Sequence, residues 1–364
     1  ITTSDLPIAL PLAKPVELKD LHVNLKAKYP PKEGAAALEL AEIPNLGLTV
    51  ALGSSRIEVK GSVLGGVAKA TANSKLVNTT DLPFTLPLKK PVEIKDLQVA
   101  AEMKGQEVRL TALTLQLFGG LVRTQGTLGV GNTAPPFSGT ASIQGLQLGP
   151  ALQAVGTDQV SMSGTASADL TLNGRGFAHP DLVKALTGSG HVAVREGRIE
   201  GINLLQQAAM LLKVVGVQLD NVKATAFSTI ESDVAVKQGL ITVQRLLLDS
   251  HDFQATGGGT IGLDQSLDMK VNLNLSQALS QKIATGSPIA RVAMTGGRLS
   301  LPLLITGSTQ APSYGLDTKM FAGKVKEQVK ETVKGAVGDL LKGNAKPEDL
   351  KQQGKDLLKG LFGR

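Results

Sequence analysis

The feature that most limits this chain is a period-2 alternation of apolar and polar residues, recurring almost everywhere before residue 318. It runs through LTLQL (113–117), HVAVR (191–195), MKVNLNL (269–275) and LSLPLLI (299–305). Successive side chains of a strand point to opposite faces. Leu113, Leu115 and Leu117 therefore share one face, and so do Met269, Val271, Leu273 and Leu275. Thr114, Gln116, Lys270, Asn272 and Asn274 stand opposite them. Strands of this kind build an antiparallel sheet with one apolar and one wet face. NLG (45–47), FGG (118–120), VGN (130–132), KQG (237–239) and TGGGT (256–260) read as turns between them.

A second constraint is a repeat. TSDLPIALPLAKPVELKDLHV (3–23) returns as TTDLPFTLPLKKPVEIKDLQV (79–99), with 15 of 21 positions identical at an offset of 76. Each copy carries three prolines four apart, which remove backbone donors and exclude a helix. After the last proline an alternating strand follows: Leu21, Val23, Leu25 and Ala27 in one copy, Leu97, Val99, Ala101 and Met103 in the other. The unit is an extended lead-in plus a small meander, and stacked meanders make one sheet. We divide the chain into a first meander (1–77), a second (78–150), a larger β region with short helices (151–318) and a basic helical tail (319–364).

Helical patterns are few. HPDLVKALTGSG has Pro180 near a start and Gly188 as a stop; INLLQQAAMLLKVVGVQL (202–219) and SQALSQKIATG from Ser276 are the other candidates before the tail. The 202–219 stretch is interrupted by Gln206, Gln207 and Lys213, so it suits a groove-covering helix better than a membrane span. In the tail, Phe321, Val325, Val329, Val333, Leu340 and Leu341 recur at helical spacing opposite Lys and Glu. The tail holds 11 Lys/Arg against 6 Asp/Glu and the rest 27 against 25, so the net charge of +7 belongs mostly to the tail. A nearly neutral body argues against nucleic acid as a partner.

The apolar face is aliphatic: aromatic residues are 3% of the chain and Trp is absent. By alternation phase alone its wall comprises Leu46, Leu48 and Val50, then Leu97, Val99 and Met103, then Leu113, Leu115 and Leu117. It continues with Leu170, Leu172, Val192 and Val194, with Met269, Val271, Leu273 and Leu275, and with Leu301, Leu303 and Ile305. A second sheet would bury this face in a sandwich; a curved open sheet would leave it as an apolar groove. Periodicity does not choose between them, and a single β-bulge would invert the phase of any strand.

Order along the chain adds a resemblance. VEIKDLQVAAEMKGQEVRLTALTLQLFGGLVRTQGTLGV (92–130) resembles the strand series of AsmA-family proteins, with its aromatic-Gly-Gly turn at Phe118-Gly119-Gly120. LTGSGHVAVREGRIEGINLLQ (186–206) is similar to that family's G-x-I-x-G-hydrophobic-[DN]-Leu element, carried by Gly197, Ile199, Gly201, Ile202, Asn203 and Leu204. The stretches 225–273 and 301–317 complete the pattern, the latter with Gly307, Ser308 and Pro312 closing the last strand. The resemblance implies a mainly β, open apolar groove of repeated meanders in the periplasm, held by an inner-membrane anchor upstream of Ile1. It implies phospholipid as cargo, moved between inner and outer membrane in support of outer-membrane biogenesis and its permeability barrier, with envelope proteins as further partners. The wall residues above would then touch acyl chains.

No catalytic constellation competes with this. His22, His179, His191 and His251 are scattered, and DSHDF (249–253) offers one His beside Asp249 and Asp252, too little for a metal site. TGGGT lacks the Lys-Ser/Thr of a phosphate loop. The chain has no Cys, which removes thiol chemistry, and no cofactor is expected. A transmembrane barrel would carry aromatic girdles, which two Tyr and no Trp do not supply. The remaining alternative is a structural or adhesive β-repeat of the envelope. The basic tail would lie on a membrane, close a groove end or dock on a protein partner. Deleting 319–364 is expected to weaken flotation with anionic liposomes; unchanged flotation would exclude the membrane role.

Overall fold

The structure, a computed structural model, describes residues 16–26, 42–83, 88–130, 134–156, 161–176, 179–211, 224–286, 290, 294–320 and 323. It divides into two compact units, residues 1–193 with 234–239, and 194–233 with 240–364. Both are mainly β and antiparallel, with four short helices among the described residues. The tail residues Phe321, Val325, Val329, Val333, Leu340 and Leu341 lie outside the described residues.

In the first unit, β1 (Glu17–Lys26), β2 (Glu42–Leu52), β3 (Ser55–Leu64) and β4 (Val67–Asn78) form one meander. β5 (Glu93–Lys104), β6 (Glu107–Leu117), β7 (Gly120–Gly129) and β8 (Pro136–Gln147) form the next, followed by α1 (Leu148–Val155) and β9 (Met162–Arg175). Each strand from β1 to β9 pairs antiparallel with its successor. After α2 (His179–Ala185), β10 (Thr187–Glu200) begins beside β9. Turns with positive φ at both central residues, such as Gly65-Gly66 and Phe118-Gly119, join the strands. Their twist matches that of the hairpin.

The repeat is visible in the backbone. Asp20 and Asp96, equivalent at the 76-residue offset, both adopt positive φ (51° and 48°). The pairing register shifts at the same place in both copies, between Lys19 and His22 and between Lys95 and Gln98. Val16 and Val92, also equivalent, are both buried.

The described ends of the segment between β4 and β5, residues 79–83 and 88–92, fasten one rim of strand ends. The Asp81 carboxylate accepts hydrogen bonds from the Ser54 N–H (3.1 Å), the Ser54 hydroxyl (2.8 Å) and the Ser55 hydroxyl (2.8 Å) at the β2–β3 turn. At the segment's other end the Lys89 N–H donates to the Ala154 carbonyl of α1 (2.7 Å). Thr79 closes the base: its N–H donates to the Val92 carbonyl and its hydroxyl accepts from the Val92 N–H. Leu52, Val77, Val92 and Ala154 are buried beneath.

The second unit holds the rest of β10, α3 (Leu204–Leu211), β11 (Ala224–Lys237) as far as Asp233, β12 (Leu240–Asp249), β13 (Phe253–Gly262) and β14 (Ser266–Leu275). It continues with α4 (Gln277–Gly286), β15 (Met294–Thr295), β16 (Arg298–Ser308) and β17 (Pro312–Leu316). β12, β13, β14, β16 and β17 pair antiparallel in that order, and β15 forms a short hairpin with β16. α2, α3 and α4 fall where the patterns predict, α3 being described to Leu211; α1 is additional, its LGPALQAV too short for a clear period.

Two turn assignments are corrected. TGGGT is the interior of β13, paired on both sides. A Cβ on Gly257 would stand 2.1 Å from the Lys270 carbonyl oxygen, so the glycines permit close strand approach. NLG lies inside β2, where the register shifts between Ile43 and Leu46.

Hydrogen bonds from Ser55 and Ser54 favour ionised Asp81 and lower its pKa from the usual value. The stabilisation is therefore full above the ordinary Asp range and is lost as pH falls through the depressed pKa. Asp81→Asn is expected to lower Tm by a few degrees at neutral pH, and the gap from the parent should close in acid. A constant gap across a pH-dependent melting series would contradict this.

Candidate functional site: an apolar face of eight strands

Residues directly opposite in an antiparallel pair share a face. Followed strand by strand, the register of the first unit gives continuous ladders from β2 to β9. One reads Leu48, Val59, Ala72, Val99, Leu113, Thr124, Ala141, Leu170. The next reads Leu46, Gly61, Ala70, Ala101, Leu110, Gly126, Gly139, Leu172, and a third Ile43, Val63, Ala68, Met103, Val108, Leu128, Phe137, Gly174. Ladders on the reverse face are polar, as in Thr49, Glu58, Asn73, Gln98, Thr114, Arg123, Ser142, Asp169. Eight strands at ~4.8 Å spacing make a wall roughly 34 Å across. One acyl tail needs about half of a ~30 Å bilayer core, so the wall is wide enough for a lipid's tails.

The wall is sheltered but not closed. Along β9 exposure alternates residue by residue, with Ala166, Ala168, Leu170 and Leu172 half-buried and Thr165, Ser167, Asp169 and Thr171 exposed. Leu46, Leu48, Val50, Leu97, Val99, Leu113, Leu115 and Leu117 are likewise half-buried, and Met103 is exposed. Among the described residues no second layer lies across β2–β7; α1 packs on β8 and β9 and bonds Lys89 and Lys90 at the rim, and α2 packs on β9. Small residues keep the middle ladder shallow. A Cβ on Gly126 would lie 2.3 Å from the Ser138 carbonyl oxygen, and one on the facing Gly139 2.7 Å from that of Gln125.

The expected wall residues on β2, β5, β6 and β9 are thus brought onto one face. Val192 and Val194 are half-buried on β10. Alternation alone missed Val108 and Leu110, whose even numbering puts them out of phase with Leu113, Leu115 and Leu117. The register shift between Leu110 and Leu113 inserts one extra residue and restores them to the same face. Val59, Val63, Val122, Leu128, Phe137 and Ile143 also join it, and IEVKGSV (57–63) carried the signal for the first two.

The second unit departs from the expectation. Val271 and Leu273 face Leu303 and Leu301 across β14–β16, with Met269 and Leu275 on the same strand, and all six are at most 7% exposed. They are core in this structure rather than open wall; Ile305 alone of this set is half-buried. The reason is α4, which lies against β16 with Ile283 and Ala284 buried. Its fully buried Ser280 hydroxyl donates to the Ser276 carbonyl (2.7 Å) and accepts from the Leu299 N–H (2.9 Å), tying helix to strand.

Asn203, in the Gly-rich element before α3, is the helix N-cap: its Oδ1 accepts from the Gln206 N–H (2.9 Å). Asp and Asn perform this task alike, which accounts physically for either residue at that place. Thr225 holds the same turn by donating to the Ile202 carbonyl and accepting from the Leu204 N–H. DSHDF spans the connection of β12 to β13, and among the described residues no three His, Asp or Glu are grouped to hold a metal.

With this geometry in view, comparison with known proteins is informative at the level of family. The AsmA family model matches residues 88–246, a stretch that runs from just before β5 into β12. No curated protein and no solved structure matches the chain.

Wall and core should respond differently to truncation. Leu273→Ala, at a closed site, is expected to cost about 2–5 kcal/mol in urea unfolding. Leu113→Ala, on the half-exposed wall, should cost clearly less. Equal losses would mean that the wall is covered in solution.

Proposed function

We propose that this chain is a periplasmic groove protein that takes phospholipid acyl chains on the apolar face of β2–β9 and helps them pass between the inner and outer membranes. The carrying observation is the continuity of three apolar ladders across eight strands, with no second layer across β2–β7 among the described residues. A diacyl lipid of ~30 methylenes at ~0.8 kcal/mol each exposes about 24 kcal/mol of apolar hydration when it crosses water bare. A continuous aliphatic wall lowers that barrier and breaks no bond, so the role is passage rather than catalysis. Kinship with the AsmA family over 88–246 supports an envelope setting.

No helix among the described residues is long and apolar enough to cross a membrane. The reading therefore places the inner-membrane attachment outside them, with the outer membrane, and envelope proteins along the way, as destination and partners.

The test is lipid mass spectrometry on protein purified under mild extraction, combined with photocrosslinking. A photoreactive residue at Leu113 is expected to capture phospholipid and one at Thr114, on the polar face, is not. If no phospholipid co-purifies and both positions capture it equally poorly, the groove reading fails and a structural β-repeat takes its place.

A further inference from the structure

The two rims of the first unit, where the strands end, are built differently. At the rim holding the β2–β3 turn, the proline segment and α1, apolar residues are shut in: Leu52 is 7% exposed, Val77 1% and Val92 7%. At the opposite rim α2 lies at the β9 end, whereas β3–β4 and β5–β6 are joined by bare two-residue turns, Gly65-Gly66 and Gly105-Gln106. The outermost apolar ladder there runs through Val63, Ala68, Met103 and Val108 up to these two turns. Leu64 at the β3–β4 tip is 47% exposed and Met103 at the end of β5 is 42% exposed.

Charge at this rim has a sign. Lys104, Arg109, Arg175 and Lys184 outnumber Glu107 among the described residues, Lys26 stands opposite Glu42, and Lys69 and Glu102 neutralise one another at 2.9 Å. Exposed aliphatic tips set among basic side chains match the surface of an anionic bilayer, whose headgroups are negative and whose acyl boundary lies just beneath. The sealed rim offers no such edge, because its apolar groups are already covered.

We propose that the rim bearing the β3–β4 and β5–β6 turns is the loading edge of the wall. It meets an anionic phospholipid bilayer with Leu64 and Met103 at the headgroup boundary, and acyl chains slide over it onto the ladders while headgroups stay on the basic outside. The proposal rests on the reading that the wall binds acyl chains, and adds the side from which they arrive.

The absence of Cys allows single cysteines at Leu64, Met103 and, as control, Leu76, which is 44% exposed on the polar face beside Lys95 near the sealed rim. Each would carry an environment-sensitive fluorophore and be mixed with phosphatidylcholine vesicles with or without phosphatidylglycerol. Positions 64 and 103 should blue-shift and be quenched by doxyl-labelled lipid in the anionic vesicles, and position 76 should not. Equal quenching at all three, or none at 64 and 103, overturns the loading edge. In a transfer assay between vesicles, Leu64→Asp, at the turn and outside the three ladders, should slow fluorescent-lipid transfer several-fold while equilibrium lipid content and the circular dichroism spectrum stay unchanged. Undiminished transfer with lipid still bound removes the loading edge and leaves the groove standing. Failure of the unaltered chain to bind lipid at all removes the groove reading itself.

Discussion

Everything on the apolar face depends on register. A strand shifted by one residue presents its polar side chains to the wall, so eight strands must stay in phase. They do so despite irregularities, because extra residues are absorbed where the ladders need them. The shift between Ala100 and Ala101 of β5, relative to β6, lets Met103 and Ala101 face Val108 and Leu110 while Val99 faces Leu113. In the second unit, Arg245 at positive φ does the same for β12, so that Val243 and Leu246 both face glycines of β13. These bulges cost local ladder bonds and gain a continuous surface.

The two units then use one pattern for opposite ends. Both alternate Leu, Val and Ala with polar residues, and both have an apolar face wide enough to need an answer. In the second unit the answer is internal: α4 lies against β16, and Ser280 ties it to Leu299. In the first unit the described helices pack on β8 and β9 and on the rim segment that α1 bonds, leaving the face of β2–β7 without a layer among the described residues. A covered face contributes packing and stability; an uncovered one keeps an unmet demand for apolar contact that a ligand can satisfy.

Much of this was legible in the residues. Alternation identified the strands, the phase of β2, β5, β6 and β9, and the positions of three helices. Phe118-Gly119-Gly120 and Lys237-Gln238-Gly239 marked real turns, because their φ values need Gly at the second central position. What alternation could not show was covering, since Leu273 and Leu113 sit in equally regular strands. Whether protein lies over them depends on where a helix far along the chain comes to rest. Phase beyond a bulge was hidden for a similar reason, because Thr111 and Ala112 carry no mark of the extra residue. TGGGT misled because glycine serves close strand approach as readily as it serves a turn.

The proline segment has a consequence for how such a chain could grow. Each 76-residue copy brings its own bulge and its own buried valine, and the copy whose proline segment is described also carries a fastening for one rim. Duplicating the unit would lengthen the wall by four strands, about 19 Å, without a new end having to be invented. Reach across a compartment becomes a matter of copy number, set by gene duplication and trimmed by deletion, while the chemistry of the surface stays the same.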